Sequence, residues 1–93
     1  MATETVIPEA ALSSPRAAYE YATDVLNNRF PEGEYLIAQH PYWAFCYAVN
    51  VIRARWPQGE SMIIQGPHYL VSEYYRSFKD SFTGPEQMIW LLQ

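Results

Sequence analysis

The 93-residue chain has little of several features that define common protein classes. It has one cysteine, Cys46, so it cannot form an internal disulfide, and its cysteine and histidine residues cannot supply four zinc ligands. No apolar run approaches the roughly 18 residues that a transmembrane helix needs. The segment from Met1 to Thr5 lacks a basic region followed by an apolar stretch, so we expect no signal peptide. These absences favour a soluble protein of the reducing cytoplasm.

Charged side chains are also scarce, at 17% of the chain, and their formal net charge is −4. General nucleic-acid binders are normally basic, so this balance argues against direct nucleic-acid binding. Six of the ten acidic side chains lie between Met1 and Glu34, whereas acids and bases balance in the rest of the chain. Carboxylates are too dilute to imitate the phosphate spacing of DNA, and mimicry is kept only as a minor alternative for the N-terminal half.

Apolar and aromatic residues are abundant instead. Apolar residues make up 49% of the chain, which excludes intrinsic disorder and indicates one folded domain over residues 1–93. The chain has eight tyrosines and three tryptophans. A core of this size has room for only some of these rings, so others are expected at the surface, where aromatic residues anchor protein interfaces.

The strongest pattern is an internal repeat. Residues 14–39 align with residues 40–65 without gaps, and eleven of the aligned positions are identical. A degenerate third copy continues in the same register, and a short segment precedes the first copy. The predicted organisation is an N-terminal cap (1–13), repeat 1 (14–39), repeat 2 (40–65) and a degenerate repeat 3 (66–92).

Each repeat is predicted to fold as two helices. Prolines at 15 and 41 follow Ser14 and His40, and proline is favoured in the first turn of a helix. Apolar residues then follow helical spacing and should face the core: Ala18, Tyr21, Ala22, Val25 and Leu26, with Ala44, Tyr47, Ala48, Val51 and Ile52 in repeat 2. The first helix should end at Arg29-Phe30, before Pro31 opens a second helix through about Ala38, with Leu36 and Ile37 inward. We therefore expect an all-α, right-handed, solenoid-like stack of helix pairs.

The repeat consensus is Tyr-Ala-x-x-Val-[Leu/Ile]-x-x-Arg-[Phe/Trp]-Pro-[Glu/Gln]-Gly-Glu, at Tyr21–Glu34 and Tyr47–Glu60. It resembles the short helical tandem repeats of small bacteriophage proteins. The resemblance covers most of residues 14–65 and, weakly, residues 66–91. It implies a phage origin and a location in the host cytoplasm. Because small phage proteins often inhibit host enzymes or defence systems, it also implies an inhibitor, for example one of anti-CRISPR or anti-restriction type.

The recurring charged residues have a structural interpretation and a functional one. They could form equivalent ligand-binding positions in the two repeats. Recurrence in both repeats instead favours ion pairs that fix the corner between the two helices of each repeat. The residues expected to pair are Arg29 with Glu34 and Arg55 with Glu60.

No catalytic, cofactor or metal set emerges from the remaining residues. Gly33 and Gly59 lack the spacing of a phosphate loop, so a packing or backbone role is favoured. The sequence places no serine, cysteine or carboxylate partner beside His40 or His68. Cys46 aligns with polar residues and is expected on the outer or flanking face. We expect no enzyme activity, no cofactor and no metal.

The best candidate site is the outer face of the first helices, because surface positions of a repeat are free to differ. Aromatic and basic residues accumulate there in repeats 2 and 3. The alternative is that Trp43 and Tyr69 only cover the third repeat and the C-terminal segment. The predicted partner-binding residues are Tyr42, Trp43, Val49, Arg53, Tyr69, Tyr75 and Lys79.

Two functions are consistent with this face. The first is a non-enzymatic protein-binding module that inhibits a host protein or complex. The second is a homo-oligomeric structural or assembly protein, with a homodimer through the same face as its simplest form.

Overall fold

The computed structural model describes residues 7–92, and within this range the chain forms helices and no strands. The all-α prediction is therefore confirmed. A 3-10 turn (Glu9–Leu12) precedes the first α-helix, and two π-helical turns (Ala22–Leu26 and Ala48–Ile52) and two more 3-10 turns (Pro31–Gly33 and Lys79–Ser81) lie between α-helices. None of the helices in the described range is long and apolar enough to cross a membrane. The α-helices are α1 (Pro15–Tyr21), α2 (Glu34–Ile37), α3 (Pro41–Tyr47), α4 (Pro57–Ile63), α5 (His68–Ser77) and α6 (Gly84–Leu91).

The first helix of repeats 1 and 2 ends earlier than the sequence predicts. α1 starts at Pro15 behind Ser14, whose hydroxyl accepts the Ala17 amide at 3.0 Å. The helix then widens into a π-turn and stops where Asn27 takes a left-handed conformation with φ of 54°. Arg53 repeats this stop with φ of 62°. The expected end at Arg29-Phe30 is thus wrong, because a left-handed residue terminates the helix before the proline can.

A proline opens the segment that holds each of the first two second helices, Pro31 in the 3-10 turn before α2 and Pro57 in α4, and a glycine two residues later makes room for an aromatic ring. A Cβ atom on Gly33 would lie 2.5 Å from the Phe30 ring, and one on Gly59 would lie 2.6 Å from the Trp56 ring. Neither glycine has a positive φ. Both therefore serve packing: each ring lies directly against the backbone of the helix that follows it.

Successive repeats meet through small residues. α1 packs against α3, and α3 packs against α5. The four alanines of α1, α3 and their π-turns have no exposed surface, which permits close approach of the helices: Ala18, Ala22, Ala44 and Ala48. Val25, expected to face the core, is 64% exposed, because the π-turn rotates the last residues of the helix away from the packed side. The described residues span 50 × 23 × 17 Å. The solenoid-like stacking of helix pairs and its right-handed sense both stay predictions.

The third repeat starts one residue late. α1 and α3 begin at the equivalent prolines Pro15 and Pro41, but α5 begins at His68, with the third equivalent proline, Pro67, as its N-cap. The side chain that corresponds to Tyr47 is consequently Tyr74, where the ungapped alignment predicts Glu73.

The outer face of repeat 3 shifts with the start of α5. Tyr69 is 61% exposed, whereas the predicted outer residue Tyr75 is half-buried against Phe82. The expectation that Tyr75 lies on the outer face is therefore only partly met, because the late start turns this side chain towards the core.

Candidate functional site

A partly buried hydrogen-bond network joins repeat 1 to repeat 2. Arg29 donates to Glu34 through Nε at 2.8 Å and through Nη2 at 3.0 Å. The Tyr47 hydroxyl, on the next repeat, donates to the same carboxylate at 2.7 Å and accepts the Phe30 amide at 2.7 Å. The Arg29–Glu34 pair therefore sits at the corner between helices, and the tyrosine attaches that corner to the following repeat.

The same network recurs between repeats 2 and 3. Arg55 donates twice to Glu60 at 2.8 Å, and the Tyr74 hydroxyl donates to Glu60 at 2.6 Å. The Tyr74 hydroxyl also accepts the Trp56 amide at 2.8 Å. Repetition of the same four groups at both junctions shows a device that holds neighbouring repeats together.

Arg55 has further partners in repeat 3. It donates to Glu86 at 2.9 Å and to the Ser81 carbonyl at 3.0 Å. Its guanidinium also lies over the Phe82 ring, 3.9 Å from the centroid, a cation–π geometry. Its side chain is 19% exposed, against 45% for Arg29. Arg55 is thus the more deeply embedded of the two arginines.

The electrostatics of these groups follow their contacts. Burial raises the pKa of Glu34, but hydrogen bonds from Arg29 and Tyr47 outweigh it, so the net pKa is lowered. A hydrogen bond from Arg55 lowers the pKa of Glu86 to about 2. Burial, followed by hydrogen bonding to a carboxylate, raises the pKa of the Tyr47 and Tyr74 phenols. Both tyrosines are therefore neutral donors near pH 7.

The charged side chains of the network are paired with one another. Each arginine faces a carboxylate, and each carboxylate also accepts a tyrosine hydroxyl. The charged groups of both pairs are thus engaged within the network, although the Arg29 side chain stays 45% exposed. This arrangement supports the structural interpretation of Arg29, Glu34, Arg55 and Glu60.

Four aromatic side chains on the outer side of α1, α3 and α5 form a surface that we call the aromatic patch: Tyr19, Tyr42, Trp43 and Tyr69. The Trp43 ring centroid lies 4.8 Å from that of Tyr42, nearly edge-on, and 5.4 Å from that of Tyr19. The Tyr19 hydroxyl accepts a hydrogen bond from the side-chain amide (Nδ2) of Asn50 at 3.0 Å. Tyr42 and Tyr69 remain 43% and 61% exposed. Trp43 contacts Tyr19 of repeat 1, so part of its burial comes from packing on that repeat.

Cys46 lies beneath the aromatic patch. The expectation that it occupies the outer or flanking face is wrong, since only 9% of it is exposed. Burial raises the pKa of the Cys46 thiol, with a hydrogen bond from Tyr42 opposing the effect. The thiol in turn raises the pKa of the Tyr42 phenol, and smaller electrostatic effects of Tyr69 and Tyr19 act in the same direction. Cys46 is a protonated packing residue, unsuited to nucleophilic attack.

The other predicted partner-binding residues occupy different surroundings. Val49 is half-buried. Arg53, besides ending its π-turn in a left-handed conformation, lines an open groove of about 360 Å³ with Lys79. Arg76 and Asp80 also line this groove, so its charge is mixed.

Lys79 and Tyr75 also line a second groove, which we call the α5–α6 groove, with a volume of about 390 Å³. Its apolar side is formed by Tyr75, Trp90 and Leu91, and its polar side includes His68 and Ser72. In α1 and α3, the residue four positions after the first helical residue is aromatic, and its ring packs on the core. These residues are Tyr19 and Phe45. Ser72 at this position leaves the space open.

His68 has a hydroxyl neighbour that the sequence did not indicate. Its Nε2 lies 3.3 Å from the Ser72 Oγ, one helical turn away. Among the described residues that line the α5–α6 groove there is no carboxylate to orient the imidazole, so the pair lacks the third member of a catalytic triad. Within residues 7–92, no group of three histidine, cysteine, aspartate or glutamate side chains is arranged to hold a metal ion.

Sequence reasoning found the arginines and glutamates of the network but missed the tyrosines that connect them. The sequence predicts Tyr47 only as a core ring and assigns no role to Tyr74. No local pattern links a tyrosine to a carboxylate 13 or 14 residues before it. The recurrence of a tyrosine in each first helix was the available signal.

Comparison with protein-family models, curated proteins and solved structures gives no match for the chain.

Proposed function

We propose that the chain is a non-enzymatic protein-binding module whose partner contacts the aromatic patch. The observation that carries this proposal is the exposure of Tyr42 and Tyr69, at 43% and 61%, beside a tryptophan fixed between two tyrosines. Tyrosine and tryptophan dominate binding hot spots because each ring offers a large apolar area and a polar atom.

The packing of the patch supports a binding role. Trp43 is fixed by Tyr42 on one side and Tyr19 on the other, and Tyr19 is held by Asn50. Rings that are already ordered lose little side-chain entropy when a partner binds. The alanines below them are fully buried, so the patch lies on a rigid base.

The resemblance to phage tandem repeats supports a more specific proposal about the partner. We infer that it is a host protein or protein complex, which this chain inhibits by occupying a surface that the host protein needs. A defence complex of CRISPR or restriction type fits this role. The proposal predicts stoichiometric binding without turnover.

The test is affinity capture of the tagged chain from a bacterial lysate, repeated with a Tyr42→Ala/Tyr69→Ala double variant. We expect the wild type to retain one complex and the double variant to lose affinity by at least about 100-fold, since each hot-spot ring contributes about 2 kcal/mol or more. Tyr35→Ala is the matched control, because Tyr35 is 60% exposed on α2.

Equal retention by the wild type and the double variant would refute the assignment of the patch. Recovery of the protein alone, as an oligomer that the double variant dissociates, would favour the alternative of a homo-oligomeric structural or assembly protein.

A further inference from the structure

The α5–α6 groove occupies the position where the first two repeats carry an aromatic side chain. Ser72 stands there in place of the rings of Tyr19 and Phe45, and it lines the groove. The volume of about 390 Å³ is within the range of small-molecule sites. Repeat 3 therefore departs from repeats 1 and 2 at a residue that opens a concave space large enough for a ligand.

The aromatic walls of the groove are held in place by the core. The Trp90 ring is stacked on Tyr74, with centroids 5.1 Å apart, and lies nearly edge-on to Phe82 at 5.4 Å. The Tyr75 ring packs on the same Phe82 at 5.3 Å. Rings that are already ordered lose little side-chain entropy when a flat apolar group packs against them. This side of the groove is therefore suited to an aromatic ligand.

The polar side of the groove carries nitrogen donors. Arg76 and Lys79 line it and are exposed, and the Nε2 of His68 lies 3.3 Å from the Ser72 Oγ. Within residues 7–92, no ion pair or hydrogen bond engages the Lys79 side chain. Arg76 donates to Glu73 through Nη1 at 2.7 Å and has no further partner in that range. Donors of both cations thus remain available to a ligand.

The acids near the groove do not line it. Glu73 pairs with Arg76 and offsets part of its charge, and Asp80 lines the neighbouring groove together with Arg53. The described residues that line the α5–α6 groove include two formal positive charges and no carboxylate, in a chain whose net charge is −4. Cations that converge on a cleft without a counter-ion attract anions to it, and Lys79 is the cation with no acid paired to it.

We propose that the α5–α6 groove is a binding site for a small aromatic phosphate ester. The flat apolar group packs against Tyr75 and Trp90. The phosphate accepts hydrogen bonds from the nitrogen donors of Lys79, Arg76 and His68. A phosphate fits better than a carboxylate, because its three terminal oxygens can accept from all three side chains at once. None of the aromatic patch lines this groove, and the inference does not rest on the proposed protein-binding function.

The test is a proton–nitrogen correlation NMR titration of the full chain, read at the Trp90 indole N–H and at the amides of α5. The probes are naphthyl phosphate, naphthol and inorganic phosphate. Naphthyl phosphate should bind with a dissociation constant on the order of 0.1–1 mM, as expected for a ligand of its size. The other two should bind at least about tenfold more weakly, because each keeps only one of the two kinds of contact.

Variants of the groove separate its two sides. Ser72→Phe restores the ring of the earlier repeats and should weaken naphthyl phosphate at least about tenfold, whereas Ser72→Ala keeps the space and should change its affinity less than about threefold. Lys79→Gln should weaken naphthyl phosphate about fivefold and leave naphthol unchanged. Arg53→Gln is the matched control, because Arg53 is an exposed cation of the neighbouring groove. Circular dichroism checks that each variant keeps its helices.

Three outcomes would overturn the proposal. Absence of shifts at Trp90 and α5 with naphthyl phosphate at about 10 mM would show that the groove does not hold such a ligand. Wild-type affinity of Ser72→Phe would place the probe outside the groove. Equal weakening by Lys79→Gln and Arg53→Gln would reduce the effect to a general attraction between surface cations and an anion.

Discussion

Replacing Tyr47 by phenylalanine removes one oxygen atom from the network between repeats 1 and 2 and keeps the ring. The hydroxyl accepts the Phe30 amide at 2.7 Å and donates to Glu34 at 2.7 Å. All three residues are buried, at 0%, 1% and 8% exposure. The substitution therefore leaves a buried N–H without its acceptor and a buried carboxylate with one donor fewer.

The magnitude follows from these two losses. An orphaned buried amide costs about 1–3 kcal/mol, and a hydrogen bond to a charged group contributes about 1.5–3 kcal/mol. Arg29 keeps both of its bonds to Glu34, and its side chain is 45% exposed, so water can replace part of what is lost. We expect a total destabilisation of about 2–4 kcal/mol, or roughly 10–20 °C in melting temperature for a domain of this size.

The assay is urea unfolding at pH 7, followed by tryptophan fluorescence and circular dichroism. The control is Tyr35→Phe, because the Tyr35 hydroxyl makes no hydrogen bond within residues 7–92 and the residue is 60% exposed. The control should change stability by less than about 0.5 kcal/mol. A Tyr47→Phe cost below about 1 kcal/mol, or one equal to the control, would refute the network as the device that joins the repeats.

Three further predictions rest on single substitutions. Gly59→Ala places a methyl carbon 2.6 Å from a buried tryptophan ring and should cost about 1–3 kcal/mol in urea unfolding, whereas Gly84→Ala meets no atom within 4 Å and should be neutral within about 0.5 kcal/mol. Equal effects of the two would show that the ring has room to move. The hydrogen bond from Arg55 lowers the pKa of Glu86 to about 2. The Arg55–Glu86 pair therefore contributes its full stabilisation above a pH of about 4.5, and this stabilisation is lost as the pH falls towards 2. Glu86→Gln should accordingly flatten the fall in melting temperature between these pH values, and an unchanged pH profile would count against the pair. Arg53→Gly relieves a φ of 62° and should raise the free energy of unfolding by up to about 1 kcal/mol, seen as a higher urea midpoint. A lower midpoint would show that the arginine side chain stabilises the fold.

The helical class was predictable because it depends on local signals. Proline after a capping residue starts α1, and the spacing of small residues marks the packed side, where Ala18 and Ala44 are fully buried. The helix ends were not predictable by the same reasoning. Asparagine tolerates the left-handed conformation, so Asn27 carries a weak stop signal, whereas the arginine at the equivalent position, Arg53, carries none.

The candidate site was only partly predictable, for a related reason. Tyr42 and Tyr69 are exposed as expected, because both stand near the start of a first helix on its outer side. Tyr75 is half-buried, because the late start of α5 rotates it by about 100°, one helical residue. A one-residue shift leaves most of an alignment intact, so sequence identity alone does not reveal it.

The shift explains how the third repeat can diverge and still dock. Its Tyr74 reaches Glu60 and Trp56 with the geometry that Tyr47 has one repeat earlier, although Trp56 lies nine positions after Tyr47 and Phe82 only eight after Tyr74. The extra residue before α5 is thus compensated by a segment that is one residue shorter between Tyr74 and Phe82. At each junction the fold preserves the position of a tyrosine hydroxyl between a carboxylate and a backbone amide. Repeats 1 and 2 place this hydroxyl with regular spacing, and repeat 3 places it with a different spacing.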